Sequence, residues 1–249
     1  MSESPQLSVI MPAFNGVAFI EQAIASVLDQ CEVRSEIIVV DDGSEDDTAA
    51  CVDRLAQRDR RILLVRGARG GVATARNRGL HRATAPLVSF LDQDDLKPAG
   101  GLIRHVDLLK ADPDTQAVVG ESVMFDRISE GGDVTGGRHQ RMLATLLGAG
   151  TFRRTLFARL GAFASDLEMG SDYDFYLRMI EAGVAVTIDD EVALLHRRHG
   201  GNASGDRPAL SRELLYVFQR SVQRRRQSGQ SGALRHPLLD AMRAQWPGG

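Results

Sequence analysis

The sequence predicts an α/β protein whose mostly parallel, doubly wound central sheet is flanked by helices. Two observations carry that expectation. Short apolar runs alternate with amphipathic stretches through residues 7–91, and each run stops at a cluster of Asp, Asn or Gly. Those are the residues that turn a chain out of a strand.

Taken in order, Leu7–Met11 reads as a strand, broken by Pro12 and the turn residues Asn15-Gly16. Val17–Leu28 places Ile20, Ala23, Ile24, Val27 and Leu28 at helical spacing. Glu36–Val40 is a continuous apolar strand ending in Asp41-Asp42-Gly43-Ser44. A helix follows from about Asp46, with acids in its first turn as the helix dipole favours. Ile62–Val65 is a third strand, Gly70-Gly71 leads into a helix through Ala83, and Pro86–Leu91 is a fourth strand.

Beyond it the pattern gives a helix over Lys97–Leu109, a strand over Ala117–Phe125 and a Gly-rich connection over 130–137. A short helical piece over Met142–Leu147 precedes an ordered segment from Gly150. Ser171–Ala182 is a helix capped by Ser171. Val184–Ile188 and Val192–Leu195 are paired or bent strands, followed by a loop over His196–Gly205. Leu210–Arg226 is an amphipathic helix expected to turn Leu214, Leu215, Val217, Phe218 and Val222 inward, and the residues after Gln227 show no clear period. The expected organisation is residues 1–95 and 96–207 as two halves of one domain, then a C-terminal helical extension and tail over 208–249.

Composition removes several function classes. The 249 residues are 43% apolar and 25% charged, an ordinary globular balance, and the net charge of −3 argues against a nucleic-acid binder. No apolar run reaches the ~18 residues of a transmembrane helix. The opening Met-Ser-Glu-Ser-Pro-Gln has neither a basic region nor an apolar core, so no signal peptide is expected. Cys31 and Cys51 make neither a disulfide framework nor a metal-ligand pair. The expected compartment is the cytoplasm.

Chemistry concentrates where the strands end. In Phe90-Leu91-Asp92-Gln93-Asp94-Asp95 an apolar strand delivers three carboxylates within four residues. Crowded carboxylates repel unless a cation relieves them, and oxygen ligands suit Mg²⁺ or Mn²⁺. The competing reading is a solvated Asp-rich turn. Parallel strands bring this segment to one sheet edge with Pro12-Ala13-Phe14-Asn15-Gly16, Asp41-Asp42-Gly43-Ser44 and the Gly70-Gly71 helix carrying Arg76-Asn77-Arg78. Acids there can accept the imide N–H of a uracil, bind ribose hydroxyls and ligate a metal bridging two phosphates. Neither G-x-G-x-x-G after a strand nor a P-loop occurs. Arg76 and Arg78 point in different directions, so at most one enters the cleft, and Arg76 is the one expected inward.

Ser8–Gly16, Val40-Asp-Asp-Gly-Ser44, Gly71-Val-Ala-Thr-Ala-Arg-Asn-Arg-Gly79 and Phe90–Asp95 resemble, in order and spacing, the signature blocks of family 2 glycosyltransferases. The resemblance covers roughly residues 7–205. It implies a GT-A-type, Rossmann-like fold and an inverting, hexosyltransferase-type enzyme. It also implies a nucleotide-sugar donor, a UDP-sugar above all, with Mn²⁺ or Mg²⁺. By it, residues 1–95 are the donor-binding half and 96–207 the acceptor-binding and catalytic half. Asp41 or Asp42 would contact the base and Asp92 the ribose, with Pro12, Ala13, Asn15, Arg76 and Gln93 completing the donor site. Asp94, in an Asp-x-Asp motif, would hold the metal. Gly150–Arg154 is similar to the family's acceptor-side loop. Gly170–Arg178 resembles the block carrying the catalytic base, which falls on Asp172, although Ser171 stands where the family usually has Glu. Asp174, about 200° further around the helix, should not share the cleft. His196–Ser204 resembles the loop that closes over the diphosphate, with His199 on the metal or phosphate.

Two other readings remain open. A sugar nucleotidyltransferase would carry an early basic Gly-rich loop, which Pro12–Gly16 lacks; a non-catalytic nucleotide-sugar-binding module would keep no base. The basic C-terminal helix, with Arg212, Arg220, Arg224, Arg225 and Arg226, could make weak peripheral contact with anionic lipid, but its apolar face suffices to explain it as a helix packed on the domain. The acceptor hydroxyl is not specified by any motif.

Overall fold

In the computed structural model the described residues are 4–128, 134–135, 141–143, 145–200, 207–230 and 232–245. The first half is the expected alternation: β1 (Leu7–Ala13), α1 (Ile20–Leu28), β2 (Ser35–Asp41), α2 (Thr48–Arg58), β3 (Ile62–Arg66), α3 (Val72–Arg82) and β4 (Leu87–Phe90). The second half adds α4 (Gly101–Ala111), β5 (Ala117–Phe125), the two-residue strands β6 (Arg127–Ile128), β7 (Val134–Thr135) and β8 (Arg141–Met142), and a 3₁₀ turn over Leu147–Ala149. Then come β9 (Gly150–Arg153), α5 (Thr155–Leu160), α6 (Ser171–Glu181), β10 (Val186–Arg197), α7 (Arg207–Gln227) and α8 (Pro237–Ala244).

The main sheet runs β10-β5-β9-β4-β1-β2-β3, with β8 added to β5. Pairs β1·β2, β1·β4, β2·β3 and β5·β10 are parallel, whereas β9 is antiparallel to both β4 and β5. The C-terminal ends of β1, β2, β3, β4, β5 and β10 therefore share one edge, where β9 begins. Strand β1 is buried along its whole length because both faces are covered, which is why its apolar run is continuous rather than alternating. Leu7, Val9 and Met11 join one core with α1, α2 and α4; Ile10, Ile38, Val88 and Phe90 join the other with α3, α5, α6 and α8. Helix α3 crosses β1 so closely that a Cβ on Gly79 would run into the side chain of Ile10.

Several elements differ from expectation. Lys97 does not open a helix: Gly100, at φ 74°, turns the chain, and α4 starts only at Gly101. Met142 is not helical: it pairs with Ser122 of β5 in β8, and Leu147 opens the 3₁₀ turn. Gly170, not Ser171, caps α6; Ser171 is the first helical residue and is buried. The two late strands are one bent strand, β10, with register shifts between Ile188 and Leu194. The connection over 130–137 lies largely outside the described residues, as does the end of the His196–Gly205 loop.

The largest departures are at the C-terminus. Only Val217 of the five apolar residues expected inward on α7 is buried, and Leu215, Phe218 and Val222 are exposed. The helix docks instead through polar side chains: Arg224 bridges Asp174 and Glu181, and Arg220 bridges Asp166. The region after Gln227 contains α8, started by His236, whose Nδ1 accepts the Leu238 N–H, and held by Leu238 in the core.

Candidate active site

The shared sheet edge collects the acidic segments. At the end of β1, Phe14 exchanges two hydrogen bonds with the Gln93 side chain, its N–H donating to Oε1 and its C=O accepting from Nε2, both at 2.9 Å. Asn15, the non-glycine residue at positive φ among those described, accepts the Glu45 N–H on Oδ1, while its own N–H donates to Ser44 Oγ. These bonds tie the loop after β1 to the loops after β2 and β4, while Pro12 and Ala13 are the last residues of β1, in register with Val40 and Asp41 of β2. At the end of β2, Asp41 accepts the Ser44 N–H. The Asp42 carboxylate takes the N–H groups of Gly70 and Gly71 and the Arg78 guanidinium. Asp42 thereby anchors the entry to α3.

Helix α3 delivers Arg76, buried to 4% exposure, to the centre of the edge. Its Nη1 lies 2.5 Å from Asp172 on α6 and its Nη2 3.0 Å from Asp92 beyond β4. Arg76 therefore joins Asp92 and Asp172, which lie in different halves of the chain. Burial opposes the guanidinium charge, and Asp172 and Asp92 more than offset it, so its pKa is raised. Burial pushes the Asp172 carboxyl above its ordinary value; Arg76 pulls it back and Asp92 pushes it further up. The Arg76 Nε is buried and, among the described residues, bonds to nothing.

Asp174 faces away, as its place on the helix requires: it is buried and paired with Arg178 and Arg224. The entry to α6 is held by Glu213 of α7, whose carboxylate accepts the N–H groups of Glu168, Met169 and Gly170 at 3.1, 2.9 and 2.7 Å. Nothing in the sequence reveals this contact, because it joins residues more than forty positions apart.

Beyond β4 the three carboxylates divide. Asp94 faces His199, with Oδ2 2.8 Å from Nε2, and His199 stacks on Phe19 at 4.8 Å between ring centroids. Asp95 turns inward, accepting the Arg197 N–H and lying 3.1 Å from His196 Nδ1, which ties the end of β10 to the end of β4. Burial pushes the Asp95 carboxyl up to about 6 against the pull of His196. Asp94 and His199 supply an oxygen and an imidazole nitrogen, a donor set that suits Mn²⁺ or Mg²⁺. Among the described residues no three His, Cys, Asp or Glu side chains gather as a metal-holding group. A divalent ion would therefore take its remaining ligands from phosphate oxygens and water, as Mg²⁺ commonly does.

Lys97, next to this turn, is a buried cation that sequence reasoning passed over. Its Nζ donates to Ser89 Oγ at 3.0 Å and to the Gly148 carbonyl at 2.5 Å, tying β4 to the 3₁₀ turn. Burial pushes its pKa down to about 7, opposed by Asp95 and Asp92. The unfolded chain then binds more protons than the native one from about pH 7 to the ordinary lysine value, and stability rises with pH across that window. Urea unfolding at pH 7 and pH 9 is expected to show higher stability at pH 9 in the wild type. Lys97→Met is expected to remove that difference; an unchanged difference would assign it to other groups.

The fold and this edge define the class of protein. A family model described as glycosyl transferase family 2 matches residues 8–160, more than half of the chain, and the chain belongs to that family. It is a glycosyltransferase of GT-A fold. It is similar to the uncharacterized glycosyltransferase EpsJ of Bacillus subtilis (strain 168), 26% identical over 253 residues covering 94% of this chain and 74% of that protein. A 42% identical stretch of 100 residues relates it to the GalNAc(5)-diNAcBac-PP-undecaprenol β-1,3-glucosyltransferase of Campylobacter jejuni, but covers only 39% of this chain and 32% of that one. Among solved structures, the mannosyltransferase PcManGT from Pyrobaculum calidifontis, in complex with GDP-Man and Mn²⁺, superposes with a TM-score of 0.71 at 23% identity, over 98% of this chain and 70% of that one. TarS of Staphylococcus aureus, residues 1–349 in complex with UDP-GlcNAc, gives 0.62 at 19% identity, over 81% and 61%. At those identities the likeness establishes the fold alone. No described helix is long and apolar enough to cross a membrane.

Proposed function

We propose that the chain transfers a sugar from a nucleoside-diphosphate sugar, a UDP-sugar in the first instance, to an acceptor hydroxyl with inversion at the anomeric carbon. The observation that carries this reading is Arg76, buried and bridging Asp172 and Asp92 at one sheet edge. A base candidate and a donor-side acid meet there, around a guanidinium whose Nε is still unpartnered among the described residues. Residues 1–95 are the donor-binding half on this reading, and 96–207 the acceptor-binding and catalytic half.

Each residue has a separate task. Asp172 takes the proton of the acceptor hydroxyl as its oxygen forms the bond to the anomeric carbon and the bond to the diphosphate oxygen breaks on the opposite face. Arg76 keeps Asp172 ionised and offers Nε–H to the donor. Asp92 receives the ribose hydroxyls. Asp42 is occupied by Gly70, Gly71 and Arg78, so Asp41 is the better placed of the two to accept an N–H from the base. Pro12, Ala13, Asn15 and Gln93 form the wall of the donor cleft. Asp94 and His199 would hold the divalent ion, which supplies positive charge to the diphosphate leaving group.

Two solved structures of similar fold are complexes with nucleoside-diphosphate sugars, GDP-Man with Mn²⁺ for PcManGT and UDP-GlcNAc for TarS, which supports this donor class. The test is nucleoside-diphosphate release from a panel of UDP- and GDP-sugars with Mn²⁺, with a mixed hydroxyl acceptor pool. One donor should be consumed, with the anomeric proton coupling of the product inverted relative to the donor. Consumption of a sugar phosphate and a nucleoside triphosphate instead would make the chain a nucleotidyltransferase.

A further inference from the structure

Helix α7 is basic and lopsided. Its sequence holds six arginines and one carboxylate in a chain of net charge −3. The inward side is spent on the domain: Glu213 holds the entry to α6, Arg220 meets Asp166, Arg224 meets Asp174 and Glu181, and Val217 is fully buried. The outward side carries Leu215, Phe218 and Val222 at helical spacing, 64%, 54% and 38% exposed. Arg212 and Arg226, both exposed, stand at its two ends, about 21 Å apart at 1.5 Å per residue. Between them are Gln219 and Gln223, and no carboxylate of the helix shares that side, since Glu213 points inward.

We propose that this face of α7 docks on an anionic lipid bilayer, with Leu215, Phe218 and Val222 entering the headgroup–acyl boundary and Arg212 and Arg226 meeting lipid phosphates. Exposed apolar residues flanked by cations, with no acid among them, match the two components of interfacial binding: apolar burial and attraction to negative headgroups. A second copy of the chain fits the same face poorly. In an antiparallel two-fold contact Arg212 of one copy would face Arg226 of the other, since 212 and 226 are symmetric about 219; in a parallel one each would face its own copy, and in neither does a carboxylate of the helix lie between them. The docked face and the segment leading to Asp172 lie on opposite sides of one helix, about 10–12 Å apart. Docking would thus orient the active-site edge relative to the bilayer.

The test is co-sedimentation of the full chain with phosphatidylcholine vesicles, with and without phosphatidylglycerol, at low and high salt. The wild type should bind the vesicles containing phosphatidylglycerol, weaken as salt rises, and bind neutral vesicles poorly. Leu215→Glu with Phe218→Glu should reduce partition by about tenfold or more, and Arg212→Glu with Arg226→Glu should abolish the preference for anionic vesicles. These side chains are exposed, so the circular dichroism and Tm of both variants should match the wild type, which separates lost docking from misfolding. Absence of wild-type binding, or equal binding by the Leu215→Glu/Phe218→Glu variant, overturns the proposal. So does a wild-type dimer, seen by light scattering, that this variant dissociates without any vesicle binding in either form.

Discussion

Asp172→Asn is expected to lower kcat by about 10²–10⁴-fold, the usual contribution of a positioned general base, with donor affinity nearly unchanged. The amide keeps the shape of the carboxylate and can still meet Arg76, but it takes no proton from an acceptor hydroxyl. In the wild type, burial holds the Asp172 carboxyl above its ordinary value, so kcat should rise with pH as that group ionises. The variant should lose this limb. Initial rates of nucleoside-diphosphate release across pH, paired with donor titrations, check both statements. A variant as active as the wild type would move the base elsewhere. A wild type that binds donor without turnover would leave a nucleotide-sugar-binding module.

Arg76→Met should give the largest loss of stability. It removes the cation that two carboxylates share and leaves Asp172, whose side chain is only 15% exposed, without its charge partner. Breaking a buried pair from one side costs on the order of 3 kcal/mol, corresponding to a Tm lower by roughly 6–12 °C for a chain of this size. The sign with pH follows from the carboxylate. Without Arg76 the native Asp172 pKa rises still further above the unfolded value, so the native state binds more protons than the unfolded state in that window. The deficit should therefore be small at acidic pH and grow as pH rises through the native pKa. The alkaline shift of the remaining kcat profile is the functional counterpart. Thermal unfolding of both proteins at pH 5 and pH 8 measures it, and a pH-independent deficit would mean that Arg76 acts through packing rather than charge.

The parallel core was legible because its strands are buried on both faces. Glu36–Val40 and Pro86–Leu91 are apolar runs that stop abruptly at acids, and the sheet does bring those stops together. The two-residue offset of Arg76 from Arg78 allowed at most one of them to turn inward without saying which, and the structure buries Arg76; the position of Asp174 away from Asp172 was legible from the helix period. Its partners were not legible: that Arg76 would hold both Asp92 and Asp172 depends on β9 entering antiparallel and carrying the second half of the chain back over the edge. A four-residue strand does not encode its own direction. Helix α7 was misread for a related reason. At 3.6 residues per turn Leu214, Leu215, Val217, Phe218 and Val222 fall within about 160° of arc, a single face that the pattern turns toward the core, but the structure buries only Val217 at one edge of it. The side that docks was chosen by Asp166, Asp174 and Glu181, which reach for arginines. Lys97 looked like the start of a helix, and only burial against Ser89 and Gly148 shows it as an internal tie.

The acids at this sheet edge are expected to bind a nucleoside diphosphate together with a divalent ion. Thermal stability of the protein with UDP, GDP, CDP or dTDP, each with Mn²⁺ and with EDTA, tests it most directly. A ligand that binds only the native state raises stability by about 2.7 kcal/mol at a hundredfold excess over Kd. A clear rise in Tm is expected with one nucleotide, UDP first, in Mn²⁺, which EDTA abolishes and which Asp94→Asn with His199→Ala weakens. No rise with any of the four at millimolar concentration, or an equal rise in EDTA, would contradict it.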